Sequence, residues 1–321
     1  MPPQNQPPET ERLPFGDAAI ARAAALLREG RPVAVPTETV YGLAADAGNS
    51  EAVARIYEAK GRPGFNPLIV HVSGLDEAEA LAVFSEAARA LARRFWPGPL
   101  TLVLPLRPGG GLAPQVTAGL PTVALRSPEH PAMRALLAAT GRPLAAPSAN
   151  ASGRISPTRA EHVLSSLGGR IPLVIDGGPS LRGLESTIVA VGEAALRLLR
   201  PGPIPIEAIA AAAGLPVESA PARGIEAPGQ LESHYAPDKP LRLGAVDAEA
   251  DEWLIGFGAV AGDETLSAEG SLEEAAANLF GALHRAEAQP RPRIAVAPIP
   301  ADGLGLALND RLRRAAAGSP G

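Results

Sequence analysis

Apolar residues recur at helical spacing over residues 17–30, at Ile20, Ala24 and Leu27, and Gly30 stands where a left-handed C-cap belongs. PVAVPTETVYGLAADA then begins as a short apolar strand and breaks into a polar turn. Ser50 is expected to cap a second helix that carries Val53, Ile56 and Tyr57 on one face and Lys60 near its end. GRPGFNP reads as loop, LIVHV as a strand, residues 76–95 as two helical stretches, and LTLVLPL as the next strand. TVALRSP and PLAAPSAN read as strand ends running into loops. Residues 158–167 read as a helix, and IPLVIDGG, STIVAV and ALRLLRPG as strands.

From residue 214 to 240 the apolar period dissolves into Pro, Gly, Ala and Glu, which predicts a linker. Beyond it LRLGAV, EWLIGFG and RIAVAPIP are strand-like. An amphipathic helix is expected from 271 to about 288, and a last one through NDRLRRAAA. At 321 residues the chain exceeds what one hydrophobic core usually serves. The division that follows is a flexible, proline-rich tail over 1–16, a mixed α/β sheet domain over 17–213, a linker over 214–240 and a small α/β domain over 241–321.

Composition narrows the chemistry. With no Cys there is no disulfide, thiolate zinc site or iron–sulfur cluster, a usage that suits the cytoplasm. The N-terminus lacks a basic start followed by an apolar stretch, so it does not read as a signal peptide. No apolar run approaches the roughly 20 residues of a membrane span. Residues 1–202 hold 20 basic and 17 acidic side chains, a net of +3, while the remainder holds 9 and 17, a net of −8. That balance admits anionic ligands but argues against strong RNA binding. Among 29 basic residues only Lys60 and Lys239 are lysines, and neither follows the glycine that a Walker A loop requires.

Unusual residues are densest in PTETVYGLAADA and AKGRPGFNPLIVHV. Thr37, Glu38 and Thr39 follow an apolar strand, so they are presented at a sheet end. Lys60 and Arg62 stand at a helix C-terminus, where cations also complement the helix dipole. The Gly61, Pro63, Gly64 and Pro67 backbone around them suits phosphate better than a plain helix end. Thr122 and Arg126 place a hydroxyl and a carboxylate-binding fork on one strand. Ser148, Asn150, Ser152, Ser156, Ser186, Thr187 and Arg200 add polar groups, many of which would serve equally as caps or surface residues. GFGAVA fits the dinucleotide fingerprint only formally. No Gly-x-Ser-x-Gly elbow appears, and the five histidines show no helical metal spacing, with His130 and His162 read as solvated helix residues. The residues alone give an anion-binding cleft without a nucleophile triad.

PTETVYGL, KGRPGFNPLIVHV, WPGPLTLVL, PSANASG, GLESTIV and RPG, in this order, resemble the threonylcarbamoyl-AMP synthase (YrdC-like) family over about residues 17–205. APGQLESHYAPDKP and the segment after it look like the family's long, two-domain form. The resemblance implies a YrdC-like twisted mixed sheet around a concave cleft, plus a small Rossmann-like C-terminal domain. It implies synthesis of threonylcarbamoyl-AMP and pyrophosphate from L-threonine, bicarbonate and ATP, with Mg²⁺ bridging phosphates. A separate transferase complex would then move the threonylcarbamoyl group to tRNA. By motif match, Thr37, His71, Arg126, Ser148 and Ser186 would line the threonine side. Lys60, Arg62, Asn66, Thr122, Asn150, Ser156 and Arg200 would hold ATP, with Lys60 and Arg62 stabilising charge. HYAP resembles the family's linker element, which makes His234 and Tyr235 lid contacts. The carbamoyl-transfer domain of hydrogenase maturation shares the fold, but its architecture carries Cys-rich zinc fingers that this chain lacks.

Overall fold

The computed structural model describes residues 9–218, 224, 226–231 and 234–319. The expected tail over 1–8, and the expected linker at 219–223, 225, 232 and 233, lie outside the described residues. The first domain comprises β1 (Glu11–Pro14), α1 (Asp17–Arg28), β2 (Val33–Val35), β3 (Gly42–Asp46), α2 (Ser50–Lys60), β4 (Ile69–His71), α3 (Leu75–Leu81) and α4 (Glu86–Phe95). It continues through β5 (Leu100–Pro105), α5 (Pro114–Thr117), β6 (Thr122–Arg126), α6 (Pro131–Thr140), β7 (Leu144–Ala145) and α7 (Ala160–Leu167). It ends with β8 (Leu173–Asp176), β9 (Thr187–Val191), β10 (Leu196–Arg200) and α8 (Ile206–Ala213).

These strands form one mixed sheet in the order β1-β8-β2-β3-β7-β4-β6-β5-β9-β10. Side chains alternate faces along a strand, and both faces are covered. Leu43 and Ala45 join one buried cluster while Ala44 joins another, and on β2 Ala34 parts from Val33 and Val35 in the same way. Strands buried on both faces read as short continuous apolar runs, which is why they were legible without strict alternation.

Three sequence expectations need correction. Residues 11–14 are not a flexible tail: β1 pairs parallel with β8, Arg12 reaches Asp176 at 2.6 Å, and Thr10 donates to the Ile171 carbonyl. Asn49, not Ser50, caps α2, because its side chain accepts from the Glu51 and Ala52 amides. Three helices, α5, α6 and α8, occupy segments with no helix expected, each begun by a proline at or just before its first turn.

The second domain holds β11 (Leu241–Leu243), β12 (Glu252–Gly256), β13 (Glu264–Thr265), α9 (Leu272–Glu287), β14 (Arg293–Val296) and α10 (Gly305–Gly318). Its sheet, β11-β14-β12-β13, is wholly parallel. GFGAVA turns back on itself, with the Phe257 amide donating to the Val260 carbonyl, so no helix N-terminus waits there for a phosphate. The domains share one apolar cluster. Val40, Ile155 and Leu184 pack with Tyr235 and with Leu279, Phe280 and Leu308. No helix among the described residues is long and apolar enough to cross a membrane.

The turn after β10 leaves no room for a side chain at Gly202, where a Cβ would lie 2.7 Å from the Ser186 carbonyl carbon and 2.8 Å from the Glu185 oxygen. Gly202→Ala should therefore cost about 1–3 kcal/mol through overpacking, seen as a lowered thermal midpoint. An unchanged midpoint would show that the turn yields.

Candidate active site

The cleft lies where several strand ends meet. His71 and Arg126 end the parallel strands β4 and β6 and are register partners, so their side chains start side by side. The 37–40 turn after β2 closes one wall. Arg126 donates to the Thr39 hydroxyl at 2.9 Å, to Glu38 at 2.5 Å and to the Gly98 carbonyl at 3.2 Å. The Thr37 hydroxyl spends its proton on the Val40 carbonyl at 2.6 Å, so Thr39 must donate to Thr37 across their 2.8 Å contact. Burial alone would raise the Glu38 pKa, but Arg126 and the Glu129 amide hold it below the usual carboxylate range. The guanidinium fork expected to take a ligand carboxylate thus already grips an internal one.

Opposite this wall stand the cations. Lys60, at the end of α2, is buried and donates to the backbone carbonyls of Ser148, at 2.5 Å, and Asn150. Gly61, in the left-handed region, ends the helix and turns Arg62 inward, where it donates to the Asn66 and Pro67 carbonyls at 3.2 and 2.8 Å. Arg200, at the end of β10, donates to the Ser186 carbonyl and hydroxyl, both at 3.1 Å, and Thr101 holds that hydroxyl from behind at 2.7 Å. None of the three lies within ion-pair distance of a carboxylate among the described residues. Burial, then the neighbouring Arg62, pushes the Lys60 ammonium well below its ordinary pKa. Burial chiefly brings Arg62 down to about 10 and also lowers Arg200.

The cleft is roofed by Pro228, Gly229, His234 and Tyr235. Tyr235 is fully buried with a backbone φ of 65°, a left-handed conformation rare for a bulky residue. Its hydroxyl has no partner among the described residues, nor do His234 Nδ1, His71 Nδ1, Asn150 Oδ1 or either amide atom of Asn66. Buried polar atoms are normally paired. Apart from Ser180 Oγ, the unpaired ones gather here in and beside one cleft, as expected of a site shaped for a polar ligand. The His71 imidazole is neutral, driven to about 3 by burial and then by Arg126.

Thr37, Arg62, His71, Arg126, Ser148, Arg200, His234 and Tyr235 line the cleft directly. Lys60, Asn66, Asn150 and Ser186 stand behind or beside that lining. Ser156 is turned to Glu185, donating at 2.6 Å. Thr122 is not brought in: it begins β6, four residues before Arg126, and is half-buried away from the lining. Sequence reading passed over Glu185, which lines the cleft between Ser156 and Arg311, and Gly229, whose absent side chain lets Arg200 and Tyr235 approach. GLESTIV contained Glu185 in plain view, whereas nothing marked Gly229. His162 is not a solvated residue either. It stacks on His284 of α9 at 3.9 Å, and burial chiefly lowers it to about 3.

A two-domain α/β chain with a cation-lined cleft under its own linker is, by geometry, an enzyme or receptor for a polyanionic small molecule. Residues 25–202 match the Sua5, YciO and YrdC family described as "Telomere recombination", and residues 204–317 match "Threonylcarbamoyl-AMP synthase, C-terminal domain". The chain is 44% identical to threonylcarbamoyl-AMP synthase of Bacillus subtilis, over 96% of each protein. It superposes on Pyrococcus abyssi Sua5 complexed with L-threonine with a TM-score of 0.86 and 38% identity, covering 96% of this chain and 98% of that one. A Pyrococcus abyssi Sua5 with a histidine and a tyrosine replaced by alanine matches with the same TM-score at 37% identity, covering 96% and 97%. The chain belongs to the threonylcarbamoyl-AMP synthase family, in its two-domain form.

The depressed Lys60 pKa has a measurable sign. An anion bound beside the ammonium restores its proton affinity, so binding takes up protons wherever free Lys60 has lost its own. Affinity for inorganic pyrophosphate should therefore fall as pH rises through the titration of free Lys60. Calorimetry in buffers of different ionisation enthalpy should register the uptake. Proton release on binding would contradict it.

Proposed function

We propose that this enzyme joins L-threonine, bicarbonate and ATP into threonylcarbamoyl-AMP, with release of pyrophosphate, in the cytoplasm. The observation that carries the reading is the pair of buried guanidiniums, Arg62 and Arg200, in a cleft lining shared with Thr37, His71 and Arg126, with the buried Lys60 behind it. Arg62 and Arg200, backed by Lys60, offer positive charge to a triphosphate, and the wall, held rigid by the Arg126–Glu38 pair, offers polar groups to an amino acid. Membership in a family whose named members make this adenylate, and the likeness to a protein solved with L-threonine, support the assignment.

The threonine amine and bicarbonate first give a carbamate and water. A carbamate oxygen then bonds to the α-phosphorus of ATP while the bond from that phosphorus to the bridging oxygen breaks, and pyrophosphate leaves with the electron pair. Two anions must be brought together, so the work is neutralisation and alignment rather than covalent catalysis. Lys60, Arg62 and Arg200 answer the charge of the triphosphate and of the departing pyrophosphate. Asn66, Asn150 and Ser156 add polar groups on that side, and Thr37, His71, Arg126, Ser148 and Ser186 orient the threonine. His234 and Tyr235 close the cleft, which protects the carbamate from water.

The described side chains offer no acidic cluster for Mg²⁺. No cluster of three His, Cys, Asp or Glu exists among the described residues, and both cleft carboxylates are held by arginines, Glu38 by Arg126 and Glu185 by Arg311. Mg²⁺ would arrive with ATP, as part of the substrate. The product passes to a separate tRNA threonylcarbamoyl-transferase complex, and the modest +3 of residues 1–202 supports little direct tRNA affinity.

Purified protein should release pyrophosphate from ATP only when threonine and bicarbonate are both present. Release that ignores threonine would sink the assignment. Lys60→Ala should lower that rate by roughly a hundredfold or more, with the circular dichroism spectrum unchanged. Full activity in the variant would refute a phosphate role for Lys60.

A further inference from the structure

We propose that Arg311 is a positioning residue through which the C-terminal domain clamps the lid and sets the nucleotide side of the cleft. The inference rests on the adenylate-forming reading above. It begins from an anomaly: Arg311, on α10, is 0% exposed and is the largest fully buried side chain among the described residues. A buried guanidinium needs partners in several directions, and those of Arg311 come from three parts of the chain.

From the catalytic domain it takes Glu185, with Nε 2.8 Å from Oε2, and the carbonyl of Pro201 at 3.0 Å. From its own helix it takes Asp310 at 2.7 Å. From the lid it takes the Tyr235 ring, whose centre lies 5.2 Å from the guanidinium carbon, within cation–π range. Each partner leads to the cleft. The other oxygen of Glu185 accepts the Ser156 hydroxyl at 2.6 Å. Pro201 follows Arg200 directly, so holding its carbonyl fixes the turn that aims Arg200. Tyr235 lies beside Gly229 and Arg200 under the roof.

Arg314, one turn along α10, extends the grip. It donates to the Leu231 carbonyl at 2.6 Å, and its own carbonyl accepts the His234 amide at 3.2 Å. The threonine wall is treated differently. No hydrogen bond among the described residues runs from the C-terminal domain to Thr37, His71 or Arg126. The hydrogen bonds of the clamp therefore run to the ATP side, while the threonine wall meets the C-terminal domain through the apolar packing of Val40. That difference separates the clamp from an interface that only stabilises.

The test measures threonine-dependent pyrophosphate release and hydrogen exchange of residues 234–239 in the full chain. Arg311→Gln should raise the KM for ATP roughly ten- to a hundredfold, the worth of hydrogen bonds to a buried charge. The KM for threonine should shift far less, and exchange at 234–239 should quicken while β12 and β14 keep their protection. Arg311→Lys, which retains the charge against Glu185 and the ring, should recover part of the loss. Arg314→Gln should move both readouts in the same direction, by less, and decides the matter if Arg311→Gln does not fold. Unchanged ATP KM and exchange in Arg314→Gln, or equal rises in both KM values in Arg311→Gln, would overturn the clamp. A native enzyme whose pyrophosphate release ignores threonine would instead overturn the functional reading, and the exchange measurement would still judge the clamp.

Discussion

Three basic side chains, Lys60, Arg62 and Arg200, are buried near one another, and none lies within ion-pair distance of a carboxylate among the described residues. Taking one ion out of water costs several kcal/mol even after relaxation. Here Lys60, Arg62 and Arg200 are hydrogen-bonded to carbonyls and a hydroxyl, with Glu185 acting on Arg200 from beyond ion-pair distance. The fold tolerates this because each cation is fixed by a separate piece of rigid structure. Lys60 sits on the last turn of α2, Arg62 follows a left-handed glycine, and Arg200 ends a strand whose following turn is packed too tightly for a side chain. An arrangement of this kind favours an anion in the cleft. Binding energy is stored in the fold as unmet electrostatic demand.

The two carboxylates of the cleft make the opposite case. Glu38 and Glu185 are each matched by one arginine, Arg126 and Arg311, and each remains charged despite burial. Neither is free to act as a nucleophile or to hold a metal. Their work is geometric: Glu38 ties the 37–40 turn to β6, and Glu185 ties Ser156 to α10. A reaction whose leaving group is already a stable anion asks for this kind of site.

Much of this was legible in the sequence because apolar period and cap residues are local signals. The strands buried on both faces announced themselves as LIVHV and LTLVLPL, and the motif segments located most of the cleft lining. What escaped depended on distant partners. Residues 11–14 become a strand only because β8 offers an open edge, and nothing in ERLP shows that. In GNS two capping residues stand in a row, and sequence does not decide between them. The alanine-rich α8 has too few large apolar residues to declare a face. Arg311 is the sharpest instance. In NDRLRRAAA it reads as a solvated helix residue like Arg313, and only the approach of another domain reveals it as buried. Lys60 was legible as a cation, but not that its ammonium would be turned to two carbonyls.

The left-handed backbone of Tyr235 has a consequence for turnover. A bulky residue held at φ 65° carries strain of order 1–3 kcal/mol, and it persists only where the surroundings over-determine it. The backbone at Tyr235 is therefore held against its own local preference by what packs around it. A roof kept down at a local cost lifts more readily than one resting in its own minimum. An enzyme that must surrender a fragile mixed anhydride intact gains from a roof that is loaded toward release.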